Sequence, residues 1–572
     1  MAVIGIDLGT TNSLASVWKD GKSVLIPNSF NEYLTPSAVG FDDDGELLIG
    51  KIAKERLISH PNQTAASFKC LMGTEKKIKI GGREFSAAEL SSFILRQLKQ
   101  DAETFLGETV EEAIISVPAY FNDNGRSAVK LAGELAGLKV ERIVNEPSAA
   151  ALAYRMSDDS SDTYLVFDFG GGTLDVSVVD IFDSVIEIIA VAGDNHLGGD
   201  DFNLAIAKFF CTQNGLDFEM LAPEQKAIIL KQSEQCKISL SSNSRVGMMA
   251  SIDGRDYSLV FDNNTLLKAA ALIFDRIKAP IVKALNDAEM TVEDISDVIL
   301  VGGSSRMPLV QKYLEALFKR EIKCSVSPDT AVALGVGVVT GIKCRNTDIK
   351  DVVLTDICPF TLGIDNYNDE DPYRPLFFPL IERNTTLPAS VEHDFCTSVD
   401  KQRKITISIA QGEKYYFDSN LKLGEISVSV PPAPAGREGV TVRLTYDING
   451  ILQVDVTRIG TNNTKSKTII SNNTLSDDEI RKKLAELEKL KIHPRNNDEV
   501  KYLNARAQRL FEESKADTRA LIRSRLQYFN SVVESQNLRK IREASVNFSK
   551  FLDIIDYTDN DPFYAIEEED YD

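Results

Sequence analysis

Tryptophan, histidine and cysteine are scarce in this chain of 572 residues, which holds one Trp, four His and seven Cys. The cysteines, at positions 70, 211, 236, 324, 344, 358 and 396, form no C-x-x-C pair and are odd in number. That pattern speaks against a disulfide framework or a zinc site and for small buried hydrophobes in a reducing compartment. The histidines, His60, His196, His393 and His493, are too scattered to suggest a metalloenzyme. No apolar run approaches the roughly 18 residues that a membrane span needs. The start, Met1 to Asp7, lacks a basic stretch and is not expected to be a secretory signal. Together these absences predict a cytoplasmic protein. Positive charge is also short: 64 basic against 85 acidic side chains leave a net charge of −21, with no footprint for a nucleic-acid backbone. A Walker-type G-x-x-x-x-G-K-[ST] loop is missing as well.

What is present is an ordinary folded composition, 43% hydrophobic and 26% charged, long enough for three or four domains at about 150 residues each. From 1 to 348 short continuous apolar runs, such as Val3–Ile6, Ala113–Val117, Leu165–Phe167 and Val298–Val301, end in Asp, Gly or Pro and alternate with helical patterns. Such runs read as strands buried on both faces of an α/β sheet. Residues 349–357 are a short apolar stretch between acids, either one more strand or an inter-domain linker that docks and releases. From 358 to 474 the pattern becomes strictly alternating, as in Ile405–Ile409 and Ile426–Val430, and Asn449-Gly450 between alternating runs marks a hairpin. This region is expected to be antiparallel β with one buried face per sheet. From 475 the period is helical: Ser476–Glu479 is a capping box, Ile480, Leu484 and Leu487 mark one face, His493-Pro494 ends that helix, and further helices run through 503–510, 521–533 and 538–555. Residues 475–555 carry 17 basic and 13 acidic side chains, whereas 556–572 hold eight acids and no Lys or Arg and are expected to be a disordered tail.

The chemistry is concentrated in an approximate internal repeat. Val3-Ile-Gly-Ile-Asp-Leu-Gly-Thr-Thr-Asn-Ser13 parallels Leu165-Val-Phe-Asp-Phe-Gly-Gly-Gly-Thr-Leu-Asp175. Each is an apolar strand, an Asp, a Gly/Thr turn and a second strand. Glycine lets backbone N–H groups approach phosphate oxygens, Thr adds hydroxyl donors, and an Asp at the strand end suits a hydrated Mg²⁺. One such hairpin alone is an ordinary glycine turn. Two, opening two α/β halves, could grip a polyphosphate from both sides.

These residues, with Val301–Pro308 as V-G-G-S-S-R-M-P, resemble the actin/sugar-kinase/heat-shock ATPase superfamily. Val117–Asp123 as V-P-A-Y-F-N-D, Asn145–Tyr154 as N-E-P-S-A-A-A-L-A-Y and Gly193–Phe202 as G-D-N-H-L-G-G-D-D-F narrow the resemblance to the seventy-kilodalton heat-shock chaperones of DnaK type, from residue 2 to at least 480. The resemblance implies an actin-like two-lobed ATPase over 1–348, a linker at 349–357, an antiparallel β-sandwich for peptides over 358–474 and a short helical lid over 475–555. It implies ATP and ADP with Mg²⁺, and K⁺ as a further candidate ion. It places Asp7 and Asp168 toward Mg²⁺ through water, with Glu146 completing the acidic set. Gly9, Thr10, Thr11 and Asn12 would hold phosphates on one side, and Gly170, Gly171, Gly172 and Thr173 on the other. Gly198 and Gly199 would bind nucleotide as well. Lys69 would offset developing charge and position the attacking water; by itself it is simply a solvated lysine.

The resemblance also implies an adenosine side at Glu234, Lys237 and Ser241, an opposite wall at Gly302, Gly303, Ser304 and Arg306, and Asp329 at the pocket edge. Glu234 and Lys237 equally suit a surface i,i+3 pair. Pro118 and Arg126 match a relay between domains, and Arg142, Asn145 and Asp356 a docking site for J-domain partners. Tyr367, Phe395, Ile405 and Ile407 match the peptide site, where sandwich core is the plainer alternative. Departures from the family pattern are the 49 positions from Lys69 to Pro118, the short Ile252–Ser258 stretch where exchange factors use a loop, Thr355 in the linker, the 368–375 segment, the reduced helical region and the lack of an E-E-V-D ending. They resemble the specialised bacterial HscC branch and leave dependence on an exchange factor unsupported. The function implied is an ATP-driven chaperone for apolar client segments. An actin-like filament protein, a sugar kinase and a passive peptide holdase stay open as alternatives.

Overall fold

The computed structural model describes residues 2–155, 162–182, 185–322, 326–344, 353–367, 371, 374–447, 450–461, 464–470 and 493–558. The capping box at 476–479, the helical face at 480–487, Asn449 and the segment 559–572 lie outside the described residues. The chain divides into two compact units, one of Met1–Pro359 with Ser471–Leu475, the other of Phe360–Ile470 with Ser476–Asp572. Among the described residues no helix is long and apolar enough to cross a membrane.

In the first unit the internal repeat becomes two similar sheets. One has the order Lys139–Asn145, Val110–Val117, Ala2–Asp7, Asn12–Lys19, Lys22–Ile26; the other contains Asp297–Val301, Asp162–Phe169, Leu174–Phe182, Val185–Asp194 and Val353–Ile357, in that order. In each, a three-strand antiparallel meander is extended by a parallel strand beside its first member. The two hairpins therefore leave equivalent ends of equivalent sheets. The continuous apolar runs that build these strands are buried, as expected of strands covered on both faces: Ile4, Ile6, Leu165 and Phe167 are closed to solvent.

Residues 353–357 of the expected linker form a strand here, pairing in parallel with Val185–Asp194 through Val185↔Val353, Ile186↔Leu354 and Glu187↔Thr355. Thr355 fits this strand because its hydroxyl donates to the Ile186 carbonyl at 3.2 Å.

The second unit holds two antiparallel four-stranded sheets. Their orders are Leu376–Ile381, Leu362–Asn366, Lys404–Gln411, Leu421–Ser429 and Ala389–Cys396, Gly439–Tyr446, Ile451–Arg458, Thr464–Ile470. Alternation gives one buried face in most strands, with Val440, Val442 and Leu444 fully buried. Ile451–Arg458 departs from that expectation. It is an inner strand buried from Ile451 through Val456, and its polar Asp455 is satisfied by the Ser466 hydroxyl on the neighbouring strand.

Three helices, Asp498–Glu513, Ala516–Glu534 and Leu538–Thr558, pack around Leu503, Leu510, Ile522, Phe529, Phe548 and Leu552. The third extends to Thr558, and within it Asp556 accepts from both Arg506 and Arg509.

The bundle is tied to the sandwich by a side-chain amide. Gln536, in the turn before the third helix, accepts from the Glu392 N–H at 3.1 Å and donates to the Glu392 carbonyl at 2.8 Å. Beside it His493 is buried, its Nδ1 accepting from the Arg495 N–H and its Nε2 lying 3.8 Å from Glu534. Burial, then Arg495, hold its pKa below the usual 6.5, with Glu534 and Glu392 opposing and Arg443 assisting. A depressed histidine contributes stability that is complete above 6.5 and lost as pH falls through its folded value. His493→Asn is therefore expected to flatten the loss of stability of this unit in mild acid. An NMR titration midpoint for His493 above 6.5 would contradict the assignment.

Candidate functional site

The site is built where the two hairpins of the first unit meet. The glycines are required by this approach. A Cβ on Gly171 would lie 1.9 Å from the Thr11 hydroxyl, and one on Gly172 would lie 2.7 Å from the Cys70 sulfur and 3.2 Å from Thr10. Gly198 is pressed against the Gly171 carbonyl, where a Cβ would fall at 2.3 Å. The backbone closes the second hairpin on the loop behind it, Gly199 N–H donating to Gly170 and Asp200 N–H to Gly171. Gly9 lies in the first turn, with Asn12 beginning the strand that follows.

Between the hairpins lies a dry cluster of charge. Lys69 donates to Glu146 at 2.8 Å, both almost wholly buried. Asp7, which accepts from Ser116 at 2.9 Å, and Asp168 share this cluster. Burial, reinforced by Glu146, raises Asp7 to about 7, against the opposing influence of Lys69 and Ser116. Burial raises Asp168 well above the usual range, with Glu146, Asp175 and Asp7 adding to it. For Lys69 burial would lower the pKa, but Glu146 and Asp7 more than offset it and the ammonium is retained. Thr173 is buried at the base of the second hairpin, where its carbonyl accepts from Gly170.

The adenosine-side residues fall on the other flank. Lys237 donates to the Gly199 carbonyl at 2.8 Å, while Glu234 pairs with Lys54 at 3.5 Å. Ser241 is exposed just past the helix Pro223–Ser239. Gly302 takes φ +79° beside Asp168, and Ser304 donates to the Gly170 carbonyl. Arg306 pairs with Asp329 at 2.6 Å, and Gly303 faces the same Asp329.

A second group leads away from the cluster. Pro118 is buried, and the segment after it is gripped by Arg126, whose guanidinium donates to the carbonyls of Ala119 and Phe121 and to the Asn145 amide oxygen at 2.7 Å. Asn145 in turn donates to Asp356 on the strand Val353–Ile357. Arg142 is mostly buried and faces Asp356; burial lowers its pKa and Asp356 opposes this.

In the second unit Tyr367 is 48% exposed, whereas Ile405 and Ile407 are buried in the sandwich. Phe395 is half-buried in a ring cluster with Phe378 at 5.3 Å and His393 at 5.1 Å.

Several participants were not singled out from the sequence. Asp175 is buried and pushed up to about 7 by burial and then Glu146; it accepts from the Tyr120 N–H, and its Oδ1 has no partner. Its signal was available, since it closes the second D-F-G-G-G-T-L-D run. Asp200 accepts from Ser67 and Asn203, and Arg276 clamps Asp194, Asp201 and the His196 carbonyl behind the hairpin. Cys70, at 4.0 Å from the Gly172 carbonyl, brings a thiol to the hairpin contact, its pKa raised by burial.

Four buried carboxylates against one ammonium are an electrostatic deficit that a cation would relieve. Among the described residues no three acidic, His or Cys side chains converge as a direct ligand set. The carboxylates of Asp7 and Asp168 suit Mg²⁺, which keeps most of its waters and needs one or two nearby carboxylates. The fold and this geometry define a multidomain ATPase that carries a β-sandwich. A model of the Hsp70 protein family matches residues 3–551, and the chain belongs to the Hsp70 family. As a class its members are ATP-dependent chaperones: they are ATPases, bind ATP or ADP with Mg²⁺, and bind client peptides and J-domain co-chaperones.

Gly171→Ala is expected to prise the hairpins apart and weaken ATP binding about tenfold, the scale of a roughly 1–3 kcal/mol overpacking cost. Adding Thr11→Ala should recover part of that loss. Strictly additive effects in calorimetric titrations would show that the two hairpins do not meet as described.

Proposed function

We propose that this chain is an ATP-driven chaperone in which the nucleotide governs the hold on extended apolar client segments. The observation that carries the proposal is the unbroken series of polar contacts from the acidic cluster to the strand Val353–Ile357. Asp175 accepts from Tyr120, Arg126 grips the carbonyls on either side of that residue and bonds Asn145, and Asn145 bonds Asp356. A change in charge at the cluster is thereby felt at residues 353–357, which stand immediately before the second unit. A filament protein or a sugar kinase has no use for this path or for a sandwich behind it, and a passive holdase would not need the path.

In the mechanism, the amides and hydroxyls of Thr10, Thr11, Asn12 and Gly170–Thr173 bind the phosphates. Glu234, Lys237 and Ser241 with Gly302, Gly303, Ser304, Arg306 and Asp329 form the walls for the nucleoside. Asp7 and Asp168 would hold Mg²⁺ through water, supplying charge that neutralises the phosphates. Glu146 keeps the Lys69 ammonium fixed, so that it offsets charge developing on the transferred phosphoryl group and orients the attacking water. Phosphoryl transfer depends chiefly on such positioning. No strong base is committed to the water, so turnover is slow, and a J-domain partner acting near Arg142, Asn145 and Asp356 accelerates it. With ATP the strand Val353–Ile357 stays docked and client retention is weak; after hydrolysis the strand releases and retention rises, as a shift between two populations. In the sandwich, Phe395 and Tyr367 receive the client, with Ile405 and Ile407 forming the floor beneath.

Kinship to the HscC branch is part of this proposal. It is supported by the hairpin Arg245–Ile252 and Arg255–Asp262, closed by the two residues Asp253 and Gly254, both at positive φ. So tight a turn offers no loop to an exchange factor. A cytoplasmic location is likewise proposed.

Lys69→Ala is expected to lower ATPase turnover about 100- to 1,000-fold, as loss of a fixed charge at the reacting centre does, while ATP still binds. Unchanged turnover would overturn the catalytic assignment. Peptide release on adding ATP tests the coupling. Trp18, on the strand that follows the first hairpin, is expected to report ATP by fluorescence; the same spectrum with and without saturating nucleotide would count against it.

A further inference from the structure

The outer face of the helical bundle carries exposed apolar and cationic side chains together. On the helix Ala516–Glu534, Leu521, Arg525 and Tyr528 follow at spacings of four and three and so share one face. Leu521 is 52% and Tyr528 63% exposed. The Arg525 guanidinium lies over the Phe551 ring at 6.0 Å, which sets this face beside Phe551 and Ile554 of the third helix, and Ile554 is 60% exposed. Arg523 lies over Phe511 at 5.5 Å. Among the described residues neither Arg523 nor Arg525 has a carboxylate partner. By contrast Arg506 and Arg509, on the first helix of the bundle, are paired with Asp553 and Asp556.

The chain that follows Thr558 has the complementary character. Its 14 residues, Asp559 to Asp572, hold seven acids, no Lys or Arg, and the apolar set Phe563, Tyr564, Ile566 and Tyr571. The segment starts one turn beyond Ile554. Extended, it spans up to about 46 Å; the helix Ala516–Glu534, with 19 residues, is about 28 Å long. Its tether holds it near the face at an effective concentration of order millimolar, so modest pairwise attraction suffices and a free partner is at a disadvantage.

We infer that residues 559–572 dock on this face of their own bundle. Their acids meet Arg525, and Phe563, Tyr564 and Ile566 cover Leu521, Tyr528 and Ile554. The segment is then an internal occupant that any acidic, apolar segment of another protein has to displace.

The test uses the full chain and a protease that cuts after Phe563 and Tyr564, with release of the C-terminal fragment followed by mass spectrometry. Arg525→Glu is expected to speed release about twofold, the loss expected from one screened surface pair, whereas Arg523→Glu, two positions away and over Phe511 off this face, should leave release unchanged. High salt should act on the natural chain in the same direction. Adding Glu567→Lys and Glu568→Lys to the Arg525→Glu variant should restore slow release, which separates docking from a damaged bundle. Equal release rates in all forms, or a charge swap that fails to restore protection, would overturn the inference. So would protection that grows with protein concentration, because the occupied face would then belong to a second copy.

Discussion

One lysine is set among four buried carboxylates, and the rest of the first unit is arranged around that imbalance. Lys69 neutralises Glu146 directly, and its pull on Asp7, Asp168 and Asp175 is outweighed by their burial. Burial of a carboxylate without a counter-charge favours its protonated form. Without ligand, Asp7 and Asp175, both near 7, are therefore partly protonated at neutral pH. The site cannot relax by spreading. Gly171 and Gly198 have no room for even a methyl group, so the hairpins are locked at contact distance. Relief comes from binding positive charge. Under the proposed function, a cation and phosphates would bind here together better than either alone.

The same imbalance sets how far the effect travels. Asp175 accepts from the Tyr120 N–H, and Arg126 reaches from that segment to Asn145. Within the five residues of the strand Val353–Ile357, Thr355 and Asp356 are polar, bonded to Ile186 and to Asn145. Water would satisfy them when released. Exchanging protein for solvent hydrogen bonds changes little free energy, and burial raises the pKa of Asp356, against its pairing with Arg126, so that docking carries a desolvation cost. A strand held by so narrow a margin can be tipped by a modest difference between nucleotide states.

How much of this was legible in the sequence follows from which forces are local. Continuous apolar strands and the two D-x-G hairpins were readable because burial on both faces and the glycine turn leave their marks in adjacent residues. The Lys69–Glu146 pair joins positions 77 apart, and only resemblance to a family put them together. Ser116 beneath Asp7, and Arg276 behind the second hairpin, carry no local mark at all. Asp175 is the instructive case: it lay within a quoted motif, but a carboxylate on an alternating strand looks solvent-facing until the sheet is covered from the other side. In the second unit, alternation correctly placed Ile405 and Ile407 on one face, yet periodicity cannot distinguish a pocket wall from sandwich core, because both are buried.

Gln536 shows the same limit from the opposite direction. A lone glutamine between two helices reads as a solvated turn, and its φ of +56° adds to that impression. In the fold its amide pairs with both backbone groups of Glu392 on Ala389–Cys396, an outer strand of its sheet. An outer strand with free N–H and C=O groups invites pairing with another chain. One amide blocks that at Glu392 without a further strand and fixes the bundle in register with the sandwich. The two bonds are to backbone, so they specify position and tolerate change in the surrounding side chains. The buried polar contacts of both units share this logic: Arg126 on the carbonyls of Ala119 and Phe121, Lys237 on Gly199, Gln536 on Glu392. In these three places a side chain grips backbone to position one element against another. At Lys69 and Glu146 the pairing is between charged side chains inside the cluster.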